Sequence, residues 1–147
     1  MPIAKLNRDI LRSLANARIE EARILLDNGQ WTGSYYMAGL GVECALKSCL
    51  AAAVKEHDFP DKDFVNAMYV HNLERLLRLN GGLWNSLQTD MKADAKLEIN
   101  WNTVKDWDDS RRYIIVEELE ARGLYDATTE PTRVSWSGLR GNGDAVR

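Results

Sequence analysis

The chain has 147 residues, 45% of them hydrophobic, with 19 Lys and Arg against 22 Asp and Glu, a formal net charge of −3 and a pI near 5.4. That length fits one domain with enough core to do without disulfides or a structural metal. The slightly acidic balance gives no electrostatic case for avid, sequence-independent nucleic-acid binding, so only a local basic patch would support one.

The N-terminus, MPIAKLNRDILRSL, scatters charges through its apolar positions and lacks the h-region of a signal peptide, so a cytoplasmic location is expected. From about Leu6 to Asn28, the residues Ile10, Leu14, Ala17, Leu25 and Leu26 recur at helical spacing, and Asn28-Gly29 supplies a C-terminal stop. This predicts a first long helix, whose charged face (Arg8, Arg12, Arg18, Glu20, Glu21, Arg23) reads as solvated surface. The short connection through Gly29 and Gln30 implies an antiparallel hairpin with the next helix, with Trp31 anchoring the turn.

The stretch Trp31 to Glu56, WTGSYYMAGLGVECALKSCLAAAVKE, is the centre of the chain. At 3.6 residues per turn, Tyr35, Ala38, Val42, Ala45, Leu46, Cys49 and Ala53 form one apolar stripe. Met37, Leu40, Cys44, Ala51 and Val54 make most of the opposite side apolar too, as expected of a helix in the middle of a bundle. Glu43, Lys47 and the many small residues argue against a membrane span. Gly39 and Gly41 each cost about 1 kcal/mol against Ala in a helix interior, which predicts close approach by a neighbouring helix. Glu43 and Lys47 are spaced i, i+4 among residues expected to be buried, and buried charges persist only when partnered. They read as a structural ion pair, with Arg112 from another helix a candidate third member, or as a polar site at the bundle centre. Cys44 and Cys49 point in different directions from one helix and read as buried thiols of a reducing compartment.

After Glu56, His57-Asp58-Phe59-Pro60-Asp61-Lys62-Asp63 breaks the helical pattern and reads as a loop. Asp58, Asp61 and Asp63 lack the spacing, glycine and terminal Glu of a calcium loop, so no metal site is expected. A third helix is predicted from about His71 to Asn80 on Leu73, Leu76, Leu77 and Leu79, closed by Gly81-Gly82. His71 and Arg75 fall one turn apart on it; His71 is either a capping or core hydrogen-bonding residue or faces a ligand. Leu83 to Lys96 has weaker periodicity through Leu83, Leu87 and Met91, and Leu97 to Asp109 is acidic and aromatic, with Trp101 and Trp107. Asp108-Asp109-Ser110 offers N-cap residues, and Arg111-Arg112-Tyr113 begins the apolar run Ile114-Ile115-Val116. A last helix is predicted over about Val116 to Thr128 with Leu119 and Leu124 inward, and Glu130-Pro131-Thr132 then turns the chain. Residues 137–147 are polar and glycine-rich and read as a flexible tail to a domain at 1–136.

The order and spacing of YYMAGLGVECALKSCL (35 to 50), VHNLERLL (70 to 77), the tryptophan-rich segment before RRY (111 to 113) and ARGLYDATTEPTRVSW (121 to 136) resemble the HEPN domain family over roughly residues 10 to 136. The resemblance implies an all-α, up-and-down bundle of four main helices with one or two short additions, commonly a homodimer. It also implies one of three roles: partner of a minimal nucleotidyltransferase, as in toxin-antitoxin or defence pairs, nucleotide-binding module, or metal-independent RNase.

Active RNase members carry Arg, four to six residues, then His. Here the positions before His57 are Leu50, Ala51 and Ala52, those before His71 are Phe64, Val65 and Asn66, and no His follows Arg111 and Arg112. With that imidazole missing, the obvious acid-base group for strand scission is absent. No phosphate-cradling glycine loop occurs, since GNGD at 141 to 144 follows no strand, and neither a zinc set nor a serine nucleophile context is present. The expectation is therefore a non-catalytic module that dimerises and binds a nucleotide or a partner protein, with no cofactor. Phosphate would be held by Lys47, His71, Arg75, Arg111 or Arg112, and a base stacked on Tyr113 or Trp101. The alternatives are an RNase toxin with a non-standard site and a purely structural dimerisation domain.

Overall fold

The computed structural model describes residues 6–54, 59 and 61–130. Outside them lie Lys55 and Glu56, assigned to the second helix, most of the loop at 57–60, the turn at Pro131-Thr132 and the expected tail at 137–147. Every regular element among the described residues is helical, the all-α class the sequence predicts. The elements are α1 (Arg8–Asp27), α2 (Trp31–Ala53), α3 (Lys62–Ala67), α4 (Leu73–Leu79), α5 (Gly81–Ala93), α6 (Ala95–Val104), a 3-10 turn (Asp109–Tyr113) and α7 (Glu118–Thr129). No helix among the described residues is long and apolar enough to cross a membrane.

The N-terminal hairpin forms for reasons visible in its ends. Asn7 accepts the Ile10 N–H at 2.9 Å and starts α1. Gly29, at φ 73°, stops it: its N–H reaches the Leu26 carbonyl at 3.2 Å and that of Gln30 reaches Leu25 at 2.9 Å, the paired bonds of a Schellman motif. The helices then run antiparallel. Ser34 Oγ donates to the Ala22 carbonyl at 2.8 Å near the turn, and Ser48 Oγ to the Arg8 carbonyl at 3.1 Å at the open end. Between them a Cβ on Gly41 would lie 2.7 Å from Ile19 Cδ1, so the glycine permits the close approach expected of it.

That approach also sets the rotation of α1. Its buried residues are Leu11, Ala15, Ile19, Ala22 and Leu26, one position away from the predicted stripe at most points; Ile10, Leu14, Ala17 and Leu25 stay partly exposed. Adjacent apolar pairs (Ile10-Leu11, Leu14-Ala15, Leu25-Leu26) leave the phase of a helix ambiguous, and α2 chooses the face carrying the small Ala15 and Ala22.

Around α2 the remaining helices close one core. Leu73, Leu76 and Leu77 of α4, Leu97, Trp101 and Val104 of α6, and Ala121, Leu124 and Ala127 of α7 join Tyr35, Val42, Leu46 and Leu50. Full burial of a Leu or Val side chain contributes about 1.5–3 kcal/mol, so this cluster is where most of the stability lies. Gly39 meets not a helix but the loop after α6: a Cβ there would lie 2.1 Å from Trp107 Cε2, inside a fully buried indole.

The segment after the loop is divided more finely than its periodicity suggests. Asp61 caps α3 by accepting the Phe64 N–H at 3.0 Å, so part of the expected loop is a short helix. Asn72, not His71, opens α4. Gly81-Gly82 does not close a helix but begins one. Asn80 ends α4 and accepts the Leu83 N–H at 3.1 Å to start α5. Asp94 then caps α6, accepting from Lys96 and Leu97 at 3.1 and 3.2 Å. Side chains that bond nearby N–H groups overrode apolar spacing at each boundary. At the end of the chain, α7 begins at Glu118 rather than Val116. Val116 is buried, its N–H held by Thr32 Oγ1 at 3.0 Å, and Leu119 points outward, 86% exposed, because the inward face is taken by Ala121, Leu124 and Ala127.

Candidate functional site

The residues the sequence marks for ligand binding do not converge. They fall at three places, and each place has its own chemistry.

The first is the charged group on α2. Glu43 lies in the middle of the helix with its side chain 6% exposed, and both carboxylate oxygens are engaged: Oε1 with His71 Nδ1 at 2.8 Å and Oε2 with Lys47 Nζ at 3.5 Å. His71 thus takes the place expected of Arg112. It arrives because Asn72 starts α4 one residue later and leaves His71 in the extended connection that crosses α2. A carboxylate holding Nδ1 fixes the ring's orientation and leaves the half-exposed imidazole facing outward. Arg75, in the first turn of α4, is exposed, and its backbone N–H donates to the Asn72 cap at 2.9 Å. Neighbouring Cys44 is buried, and burial together with the Glu43 charge pushes its thiol up to about 11; neither it nor Cys49 is in a disulfide.

The second place is the 3-10 turn. Asp108 caps it, accepting from the Ser110 hydroxyl and, at 2.8 Å, from the Ser110 N–H, and chiefly the hydroxyl lowers the Asp108 carboxyl below its usual range. Arg111 lies over the Tyr35 ring at 5.8 Å and reaches Glu120 at 3.9 Å. Arg112 pairs with Asp109 at 3.5 Å, across the turn from the Tyr36 hydroxyl that donates to the same carboxylate at 3.4 Å, and lies 5.0 Å from the Tyr113 ring. The attraction of Asp109 raises the Arg112 guanidinium further, so it stays cationic. The predicted Glu43–Arg112 pair does not form, because the turn carries its own acid three residues before Arg112. Tyr113 is exposed and available for stacking.

The third place is a cleft of about 390 Å³ between α4, α5 and α6. Trp101 is one of its lining residues but is itself 3% exposed, so it is part of the packed floor and has no face open to a stacked base. The walls come from residues the sequence reading passed over. Arg78 of α4 holds its guanidinium 4.2 Å from the Trp84 ring centroid and its Nε 3.8 Å from Glu74. Lys92 from α5 and Lys105, just past α6, add two further cations, against Glu74 and Glu98, and Gln88 and Asn102 add amide groups. A signal for this cleft existed. Trp84, Gln88, Met91 and Lys92 are spaced as one helical face, and so are Glu98, Trp101, Asn102 and Lys105; recognising α6 as a helix was the missing step.

Among the described residues no group of three His, Cys, Asp or Glu side chains stands close enough to hold a metal ion, and Asp61 is occupied as the cap of α3. The coordinates define an all-α helical bundle with a mixed-charge, tryptophan-walled cleft. No family model, curated protein or solved structure matches the chain.

Proposed function

We propose that this chain is a non-catalytic HEPN-type module that pairs with a second copy and works by binding a nucleotide or a partner protein, the candidate partner being a minimal nucleotidyltransferase in a toxin-antitoxin-like or defence pair. The observation that carries the ligand half is the cleft: an indole and a guanidinium stacked at 4.2 Å beside Lys92 and Lys105 combine a planar surface with positive charge, as a base attached to phosphate requires. The nucleotide reading thereby moves from Lys47, His71, Arg75, Arg111 and Arg112 to Arg78, Trp84, Lys92 and Lys105. Two buried, unbridged thiols support a cytoplasmic setting.

The test is calorimetric titration of the whole chain with purine and pyrimidine triphosphates. Saturable heat with a micromolar-to-millimolar dissociation constant is expected, weakened about tenfold by Trp84→Ala. Flat titrations with every triphosphate end the ligand reading.

A second reading, an RNase toxin with a non-standard site, is favoured by one contact, the buried Glu43 carboxylate on His71 Nδ1 at 2.8 Å, which orients an imidazole as acid-base catalysis requires. Induction of the chain alone should then stop growth and degrade transcripts, and His71→Ala should abolish both. A chain that is inert when induced rules this reading out.

A further inference from the structure

The charges that line the cleft between α4, α5 and α6 are not all in the same state. Arg78 is already engaged, with its guanidinium 4.2 Å from the Trp84 ring centroid and its Nε 3.8 Å from Glu74. Lys92, Lys105 and Glu98 line the same cleft, yet none of the three makes an ion pair among the described residues. Two uncommitted lysines and one uncommitted acid are therefore what an entering anion meets.

That balance restricts the length of a phosphate chain. A phosphate monoester carries about −1.5 to −2 charge at pH 7, close to what two lysines offset. Each further phosphate adds negative charge with no uncommitted cation left in the lining to meet it, and brings that charge towards Glu98 and Glu74. Like charges brought together in a binding site suppress the wrong partner, and here the wrong partner is the longer chain. Size points the same way. At about 390 Å³ the cleft is near the lower end of the roughly 300–1,000 Å³ usual for small-molecule sites, so a short ligand fills it.

We infer that the cleft selects nucleoside monophosphates over di- and triphosphates, with Lys92 and Lys105 attracting the single phosphate and Glu98 turning longer chains away. The inference rests on the nucleotide reading of this cleft and adds the ligand class to it.

Calorimetric titration of the whole chain in EDTA tests it, because no divalent cation is then present to neutralise the longer chains. Adenosine and guanosine are compared with their mono-, di- and triphosphates. For the base that binds better, the monophosphate is expected to bind about tenfold tighter than either the triphosphate or the bare nucleoside, with the triphosphate still saturable in the millimolar range. Lys92→Ala with Lys105→Ala should reduce the monophosphate to the affinity of the nucleoside. Glu98 is exposed, so Glu98→Gln removes its charge without disturbing the core. That variant should bring the triphosphate to within about threefold of the monophosphate. A triphosphate that binds as tightly as the monophosphate, or a ratio that Glu98→Gln does not move, overturns the inference and leaves the cleft a nucleotide site. Flat titrations with every compound end both readings, so the two failures are told apart.

Discussion

The α1–α2 hairpin and the run from α4 to α6 are both helical, yet they are held in place by different means. In the hairpin, 20- and 23-residue helices are locked where a small residue faces a large one, Gly41 against Ile19, and Gly39 on the same α2 receives Trp107 from the loop after α6, so register and rotation follow from contact. In α4–α6, helices of 7, 13 and 10 residues are separated by single capping side chains, Asn80 and Asp94, and their positions follow from local hydrogen bonds. Long helices tolerate no change where they touch and much elsewhere. Short helices are vulnerable at their ends, and it is between them that the chain leaves a cleft.

Substitutions can sharpen that contrast. The largest effect is expected from Gly39→Ala, whose Cβ would lie 2.1 Å from a buried indole that has no free end to swing aside. Urea unfolding should show a loss of about 3 kcal/mol despite the better helix propensity of Ala, and a wild-type midpoint would mean that the Trp107 contact does not hold the loop to α2. Next comes Glu43→Ala, which strands Lys47 and His71. Removing one member of a buried pair is costly, but the half-exposed His71 can turn to water, so about 2 kcal/mol is expected in the same assay. A loss equal to that of an exposed pair would return this group to the surface.

Asp94→Ala should cost about 1 kcal/mol, the usual worth of an N-cap, with amide exchange accelerating in α6 and not in α1. Uniform acceleration would mean that α6 has no separate local stability. The smallest change has the opposite sign. Gly123 is inside α7 with nothing packed within 4 Å of where a Cβ would be, apart from its own helix backbone and chain neighbours, so Gly123→Ala should raise stability by up to about 1 kcal/mol. The same substitution at Gly39 and Gly123 thus gives opposite results, because one glycine makes room for a neighbour and the other has none.

Much of the hairpin was legible in advance. The stripe of α2 is buried from Tyr35 to Cys49 as its spacing indicates, Asn28-Gly29 ends α1, and the two glycines of α2 do mark close approaches. The phase of α1 was not legible, because two adjacent faces are nearly equally apolar and only the partner helix discriminates between them. For the charged group, helical spacing identified Glu43 and Lys47 but named Arg112 as their partner; His71 is there because of where Asn72 begins α4, a matter of one residue. Trp101 was legible as important and misread in role, since an indole looks the same in sequence whether it stacks on a ligand or fills a core.

What the sequence alone determined is local: that α1, α2, α4 and α7 are helical, where α1 stops, that α2 is central and that it carries charge needing a partner. These follow from periodicity and from caps that act within a few residues. What only the tertiary structure decided is everything that joins distant positions: His71 on Glu43 across 28 residues, Trp107 on Gly39, and three helix faces walling one cleft. A buried charge or a glycine states that a neighbour is required; which neighbour comes is settled by packing the whole chain at once.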